Sequence, residues 1–102
     1  MGTELFIVSR DEKSLFPLPD GRRVETYDLP PGAMWRCDCH NELGWLIMLP
    51  NNAGPWCTLA TAGGTGNRWT VTGEPPKLTV KPSINSVGQW HGWITDGVMS
   101  PA

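Results

Sequence analysis

The chain is poor in the residues that announce most functional classes. It has only 3 cysteines in 102 residues, an odd number, whereas a disulfide-stapled secreted domain carries a larger, even set. Lysine and arginine total 8 against 10 acidic residues, a net charge of -2. That balance offers no basic field for nucleic acid or an anionic membrane. No apolar run approaches the ~20 residues of a membrane span. Near the N-terminus, Glu4 and Arg10-Asp11-Glu12-Lys13 flank a very short apolar run, unlike a signal peptide. No window carries the 3.6-residue periodicity of an amphipathic helix. Gly-x-Ser-x-Gly and His-Glu-x-x-His are both missing, and Gly63-Gly64-Thr65-Gly66 lacks the Lys-Ser/Thr of a phosphate loop.

Glycine (12), proline (10) and tryptophan (6) are what the chain has instead. Short apolar stretches recur about every ten residues, separated by Gly, Pro and Asn-rich breaks. This predicts one all-β domain over residues 1–102, mainly antiparallel, arranged as a meander or a partly closed barrel with little or no helix. Leu5–Val8, Arg22–Tyr27, Ala33–Cys37, Trp56–Thr61, Arg68–Thr72 and Lys77–Lys81 read as strands. Leu15 to Gly21 reads as irregular, because its prolines remove ladder donors. Gly44–Pro50 is apolar at successive positions, as in a strand covered on both faces. Trp90–Thr95, Asp96-Gly97 and Val98-Met99 form a terminal hairpin with a turn-forming Asp-Gly.

The densest cluster of reactive side chains is Cys37-Asp38-Cys39-His40. Cysteine and histidine at this spacing suit half of a tetrahedral zinc site. His91, beside Gly92, is the expected distant ligand, so that a knuckle at 37–40 meets residue 91. Cys37, Cys39, His40 and His91 are the candidate metal ligands, zinc is the expected cofactor, and Cys57 is either a spare ligand or a small core residue. A structural zinc suits so small a domain, since metal binding adds directly to folding. The alternative is a metal-dependent hydrolase in which Asp38, Glu42 or Asp96 handles a metal-bound water. Trp35, Trp69, Trp90 and Trp93 suggest either a stacking face for bases or sugars, with Arg22, Arg23, Arg36 and Arg68 nearby, or ordinary core packing.

Trp69-Thr70-Val71-Thr72-Gly73, Leu78-Thr79-Val80-Lys81-Pro82-Ser83-Ile84 and Trp90-His91-Gly92-Trp93-Ile94-Thr95-Asp96-Gly97 carry a resemblance. From Leu29 onward the chain resembles a family of small phage and prophage zinc-binding proteins, often labelled ammonia monooxygenase. That label has no chemical support in these residues. Trp90 stands where many relatives place a cysteine. The resemblance implies a phage-type accessory protein with a structural zinc, a protein-interaction module without catalysis of its own. It further implies reduced thiols in a bacterial host cytoplasm; the expected partner is an unidentified host or phage protein, and the charge balance disfavours nucleic acid and a membrane.

Overall fold

A computed structural model describes residues 2–39, 42–51, 53–59, 69–86 and 90–102. The strands are β1 (Thr3–Glu4), β2 (Phe6–Ile7), β3 (Phe16–Pro17), β4 (Arg23–Val24), β5 (Ala33–Cys39) and β6 (Glu42–Met48). They continue with β7 (Pro55–Cys57), β8 (Thr70–Thr72), β9 (Thr79–Ser86), β10 (Trp90–Thr95) and β11 (Val98–Pro101). Among the described residues the only helical segment is one 3-10 turn, Thr26–Asp28. The all-β expectation holds.

Three layers stack on one another. A five-stranded sheet runs β1-β11-β10-β9-β8, a four-stranded sheet runs β2-β5-β6-β7, and β3 pairs with β4. All pairings are antiparallel except β2 with β5. These are open sheets, and no barrel closes. The larger core lies between the two main sheets: Met34, Ile47 and Trp56 from one meet Val80, Ile84, Trp90, Ile94 and Met99 from the other. On the far side of the four-stranded sheet, Ala33, Trp35 and Met48 pack on Phe16, Leu18 and Leu29. The middle sheet is therefore covered on both faces, which explains the unbroken apolar run of β6.

Leu5 is where the first apolar stretch divides. Its N–H donates to the Gly97 carbonyl at 2.8 Å, while Phe6 N–H, one residue on, donates to Gly32 at 3.0 Å. One short run thus serves both sheets. The Pro-rich segment from Leu15, expected to be irregular, contributes β3, with Phe16 opposite Val24. It lies in a two-stranded ribbon, where a proline costs the ladder little. Arg22–Tyr27 is shorter as a strand than expected, because Thr26 begins the 3-10 turn.

The terminal hairpin is as expected. Ile94 opposes Met99 and Thr95 opposes Val98. Asp96 (φ 47°) and Gly97 (φ 80°) both take the left-handed conformation that a two-residue antiparallel turn demands. No helix among the described residues is long and apolar enough to cross a membrane.

Candidate active site

β9 runs well past the Lys81 boundary expected from the sequence. It continues through a cis Lys81–Pro82 peptide to Ser86 and pairs with β10 on both sides of a register shift. Ile84 opposes Gly92, and Val80 opposes Ile94. Three residues of β9, Lys81, Pro82 and Ser83, therefore face the single residue Trp93. Such a bulge bends the strand and re-aims the side chains within it. The proline fits there because a bulged position leaves ladder bonds unmade.

The bulge brings a serine to a histidine. Ser83 Oγ lies 2.9 Å from His91 Nε2, across eight residues of sequence. With the ring proton on Nδ1, the Ser83 hydroxyl donates to Nε2. A serine whose proton can pass to a neighbouring imidazole is the arrangement that activates a hydroxyl as a nucleophile. Both side chains project from the outer face of the five-stranded sheet, since Ile84 and Gly92, their chain neighbours, point into the core. Ser83 is half-buried and His91 exposed, so the pair is open to a large substrate. Among the described residues, no carboxylate hydrogen-bonds to His91.

The surroundings fix the pair. Gly92 is buried, and a Cβ there would stand 2.3 Å from the Ser100 carbonyl oxygen and 2.3 Å from the Trp90 ring. The Trp90 indole thus lies across Gly92 beneath the sheet, and β11 approaches closely. Ile94 is fully buried on the same inner face. On the other side of the serine, the Trp69 indole N–H donates to the Ser83 carbonyl at 3.2 Å. Trp93, 44% exposed, stands on the outer face two residues from His91.

Of the four expected metal ligands, only Cys37 and His91 have described side chains. Cys37 is disulfide-bonded. The side chains of Asp38, Cys39 and Glu42, and the whole of His40, lie outside the described residues. Cys57 is a free thiol, half-buried, and accepts a hydrogen bond from Leu59 N–H at 3.4 Å. His91 faces Ser83. Asp96 lies at the opposite end of β10, in the turn, with its N–H donating to Thr79 Oγ1 at 2.9 Å. No group of three or more His, Cys, Asp or Glu among the described residues is placed to hold a metal ion.

The four tryptophans do not form one stacking face either. Trp35 and Trp90 are buried, Trp35 against Phe16 with ring centroids 5.3 Å apart. Trp69 is half-buried against Trp56, also at 5.3 Å. Of the four, Trp93 alone is exposed.

Sequence reasoning passed over Ser83. Both Pro82-Ser83-Ile84 and His91-Gly92 stood out, but as marks of a resemblance and as a metal ligand. The available signal was a serine and a histidine on two segments that pair as neighbouring strands. It was hidden because the expected strand ended at Lys81, before Ser83.

A family model described as bacterial ubiquitination-like system serine protease (BubE) matches residues 22–102, which include both Ser83 and His91. No curated protein and no solved structure gives a match. The family match corrects the sequence expectation of a phage zinc-binding accessory module without catalysis. What resembled a zinc-binding phage family in Pro82-Ser83-Ile84 and His91-Gly92 is the part of the chain that holds a serine against a histidine. The chain belongs to the BubE family of bacterial ubiquitination-like system serine proteases.

Proposed function

We propose that this chain is a serine peptidase in which Ser83 is the nucleophile and His91 the general base. The observation that carries the reading is the 2.9 Å contact between Ser83 Oγ and His91 Nε2, inside the span matched by the serine protease family. Ser83 Oγ attacks the carbonyl carbon of the scissile bond and its proton moves to His91 Nε2. The imidazolium then gives that proton to the departing amine as the carbon–nitrogen bond breaks, leaving an ester on Ser83. Water, deprotonated by His91, attacks the ester, and the Ser83 hydroxyl is restored as the acid product leaves.

The substrate class we infer is a polypeptide of a bacterial ubiquitination-like system. The family description supports it, and so does the setting of the pair on an open sheet face beside the exposed Trp93. A polypeptide segment can reach such a surface while the rest of its chain remains folded.

The test is acyl-enzyme trapping with p-nitrophenyl acetate. The reading expects a burst of p-nitrophenol of about one equivalent per chain, with the acetyl group found on Ser83 by peptide mass mapping. Ser83→Ala should abolish the burst. His91→Ala should slow acylation by about 10²–10⁴-fold, the usual worth of a general base. A burst that survives in Ser83→Ala, or an acetyl group on another side chain, would overturn the assignment.

A further inference from the structure

Among the described residues, the donor that the Ser83 carbonyl finds is a side chain. Ala102 N–H donates to the His91 carbonyl at 2.9 Å, so the backbone groups of His91 face β11. Successive residues of a strand alternate, which turns the backbone groups of Gly92 towards β9 and its partner Ile84. Ser83, adjacent to Ile84, then presents its carbonyl away from β10, on the β8 side. Described β8 begins at Thr70, which pairs with Lys81, two residues short of Ser83. The Trp69 indole N–H donates to the Ser83 carbonyl at 3.2 Å.

The indole is itself held from below. It meets the Trp56 ring edge-on, with centroids 5.3 Å apart and planes at 88°, and Trp56 is buried in the core between the sheets. Contact is therefore continuous from the core through Trp56 and Trp69 to the backbone of the nucleophile. The serine needs such an anchor, because it sits in the bulge where regular pairing with β10 lapses.

We propose that Trp69 is a positioning residue for Ser83: its indole N–H fixes the serine's peptide plane and so keeps Oγ aimed at His91 Nε2. The proposal rests on the Ser83–His91 reading above. Trp69 touches neither reacting atom and acts only through the Ser83 backbone. A misplacement of about 1 Å at a reacting group is enough to cost on the order of 10²-fold in rate.

The test compares the wild type with Trp69→Phe and with a variant carrying 3-benzothienylalanine at 69, which keeps the indole's shape but lacks its N–H. Each protein is labelled with a fluorophosphonate, in which Ser83 Oγ displaces fluoride from phosphorus and the hydroxyl proton passes to His91. Rates are read by intact mass, and steady-state hydrolysis of p-nitrophenyl acetate is measured in parallel. Loss of one hydrogen bond predicts labelling and kcat lower by about fivefold to tenfold in both variants. KM should stay within about twofold and the benzothienyl variant should melt as the wild type does, since the packing on Trp56 is retained. Labelling and kcat at wild-type level in the benzothienyl variant would overturn the role of Trp69. A wild type that takes no label at Ser83 would instead overturn the Ser83–His91 pair itself, so the two failures are distinguishable.

Discussion

Gly92→Ala places one methyl group where the structure has no room, immediately beside the candidate base. The ideal Cβ would lie 2.3 Å from the Ser100 carbonyl oxygen on β11 and 2.3 Å from the Trp90 ring, against an ordinary contact of about 3.5 Å or more. One of these neighbours must therefore retreat by about 1 Å. The Ser100 oxygen is backbone, and Trp90 is buried among Ile84, Ile94 and Met99, so neither yields cheaply. Overpacking of this kind costs about 1–3 kcal/mol. It is opposed by the roughly 0.5–1 kcal/mol usually gained when a strand glycine becomes alanine. The expected net loss is about 1–2 kcal/mol, or a fall in Tm of about 5–15 °C for a domain of this length. Thermal unfolding followed by circular dichroism reads the stability. Fluorophosphonate labelling well below the melting range reads the site, and it should also slow, because β10 carries His91 at the next position. A Tm equal to or above that of the wild type would refute the packing argument.

Other expectations follow from the same contacts. Trp93→Ala should leave fluorophosphonate labelling within about twofold of wild type while raising KM for a polypeptide substrate severalfold, as expected when an exposed aromatic contributes binding alone; comparable losses in kcat would contradict this. The layer formed by β3 and β4 should be acid-sensitive. Desolvation pushes the Asp11 carboxyl up, but hydrogen bonds from Leu15 N–H, the Arg23 side chain and Lys13 N–H together hold it below its ordinary value of 3.8. A depressed folded value stabilises the fold above pH 3.8, and that contribution disappears as pH falls through the folded value. Asp11→Asn should accordingly lower Tm at neutral pH, with the difference from wild type closing as the pH drops below 3.8; a constant difference across that range would exclude the linkage. Phe16→Ala should destabilise by about 3–5 kcal/mol, read by chemical denaturation, because Phe16 is fully buried and packs on Trp35. An effect below about 1 kcal/mol would mean that this layer contributes little.

Much of the fold was legible because its signals are local. Asp96-Gly97 between two alternating segments specifies a hairpin, and the apolar run at Gly44–Pro50 specifies a strand buried on both faces; both are observed. What was not legible depends on contacts distant in sequence. Nothing local in Leu5–Val8 tells that one run divides between two sheets at Leu5. Pro17 read as a break, yet it lies in a short ribbon strand, and Pro82, just past the expected end of its strand at Lys81, lies in a bulge; these are two settings in which a missing N–H costs least.

The site shows the same division more sharply. Cys37-Asp38-Cys39-His40 drew attention because its reactive groups are adjacent in sequence, whereas the pair brought together in space is separated by eight residues and a bulge. His91 was singled out as a metal ligand, and its described side-chain neighbour is Ser83. A histidine near cysteines suggests a metal ligand, and only the register of β9 against β10 shows that the group facing it is a hydroxyl. Ser83 carried no motif of its own, since its contact with His91 depends on strand geometry and not on a local turn.

The claim that Ser83 is a nucleophile activated by His91 is tested most directly by fluorophosphonate labelling of the intact chain, with the modified residue mapped by peptide mass spectrometry. The account predicts one adduct per chain, on Ser83, lost in Ser83→Ala and formed at least about a hundredfold more slowly in His91→Ala. An unlabelled wild type, or labelling that proceeds unchanged without His91, would contradict it.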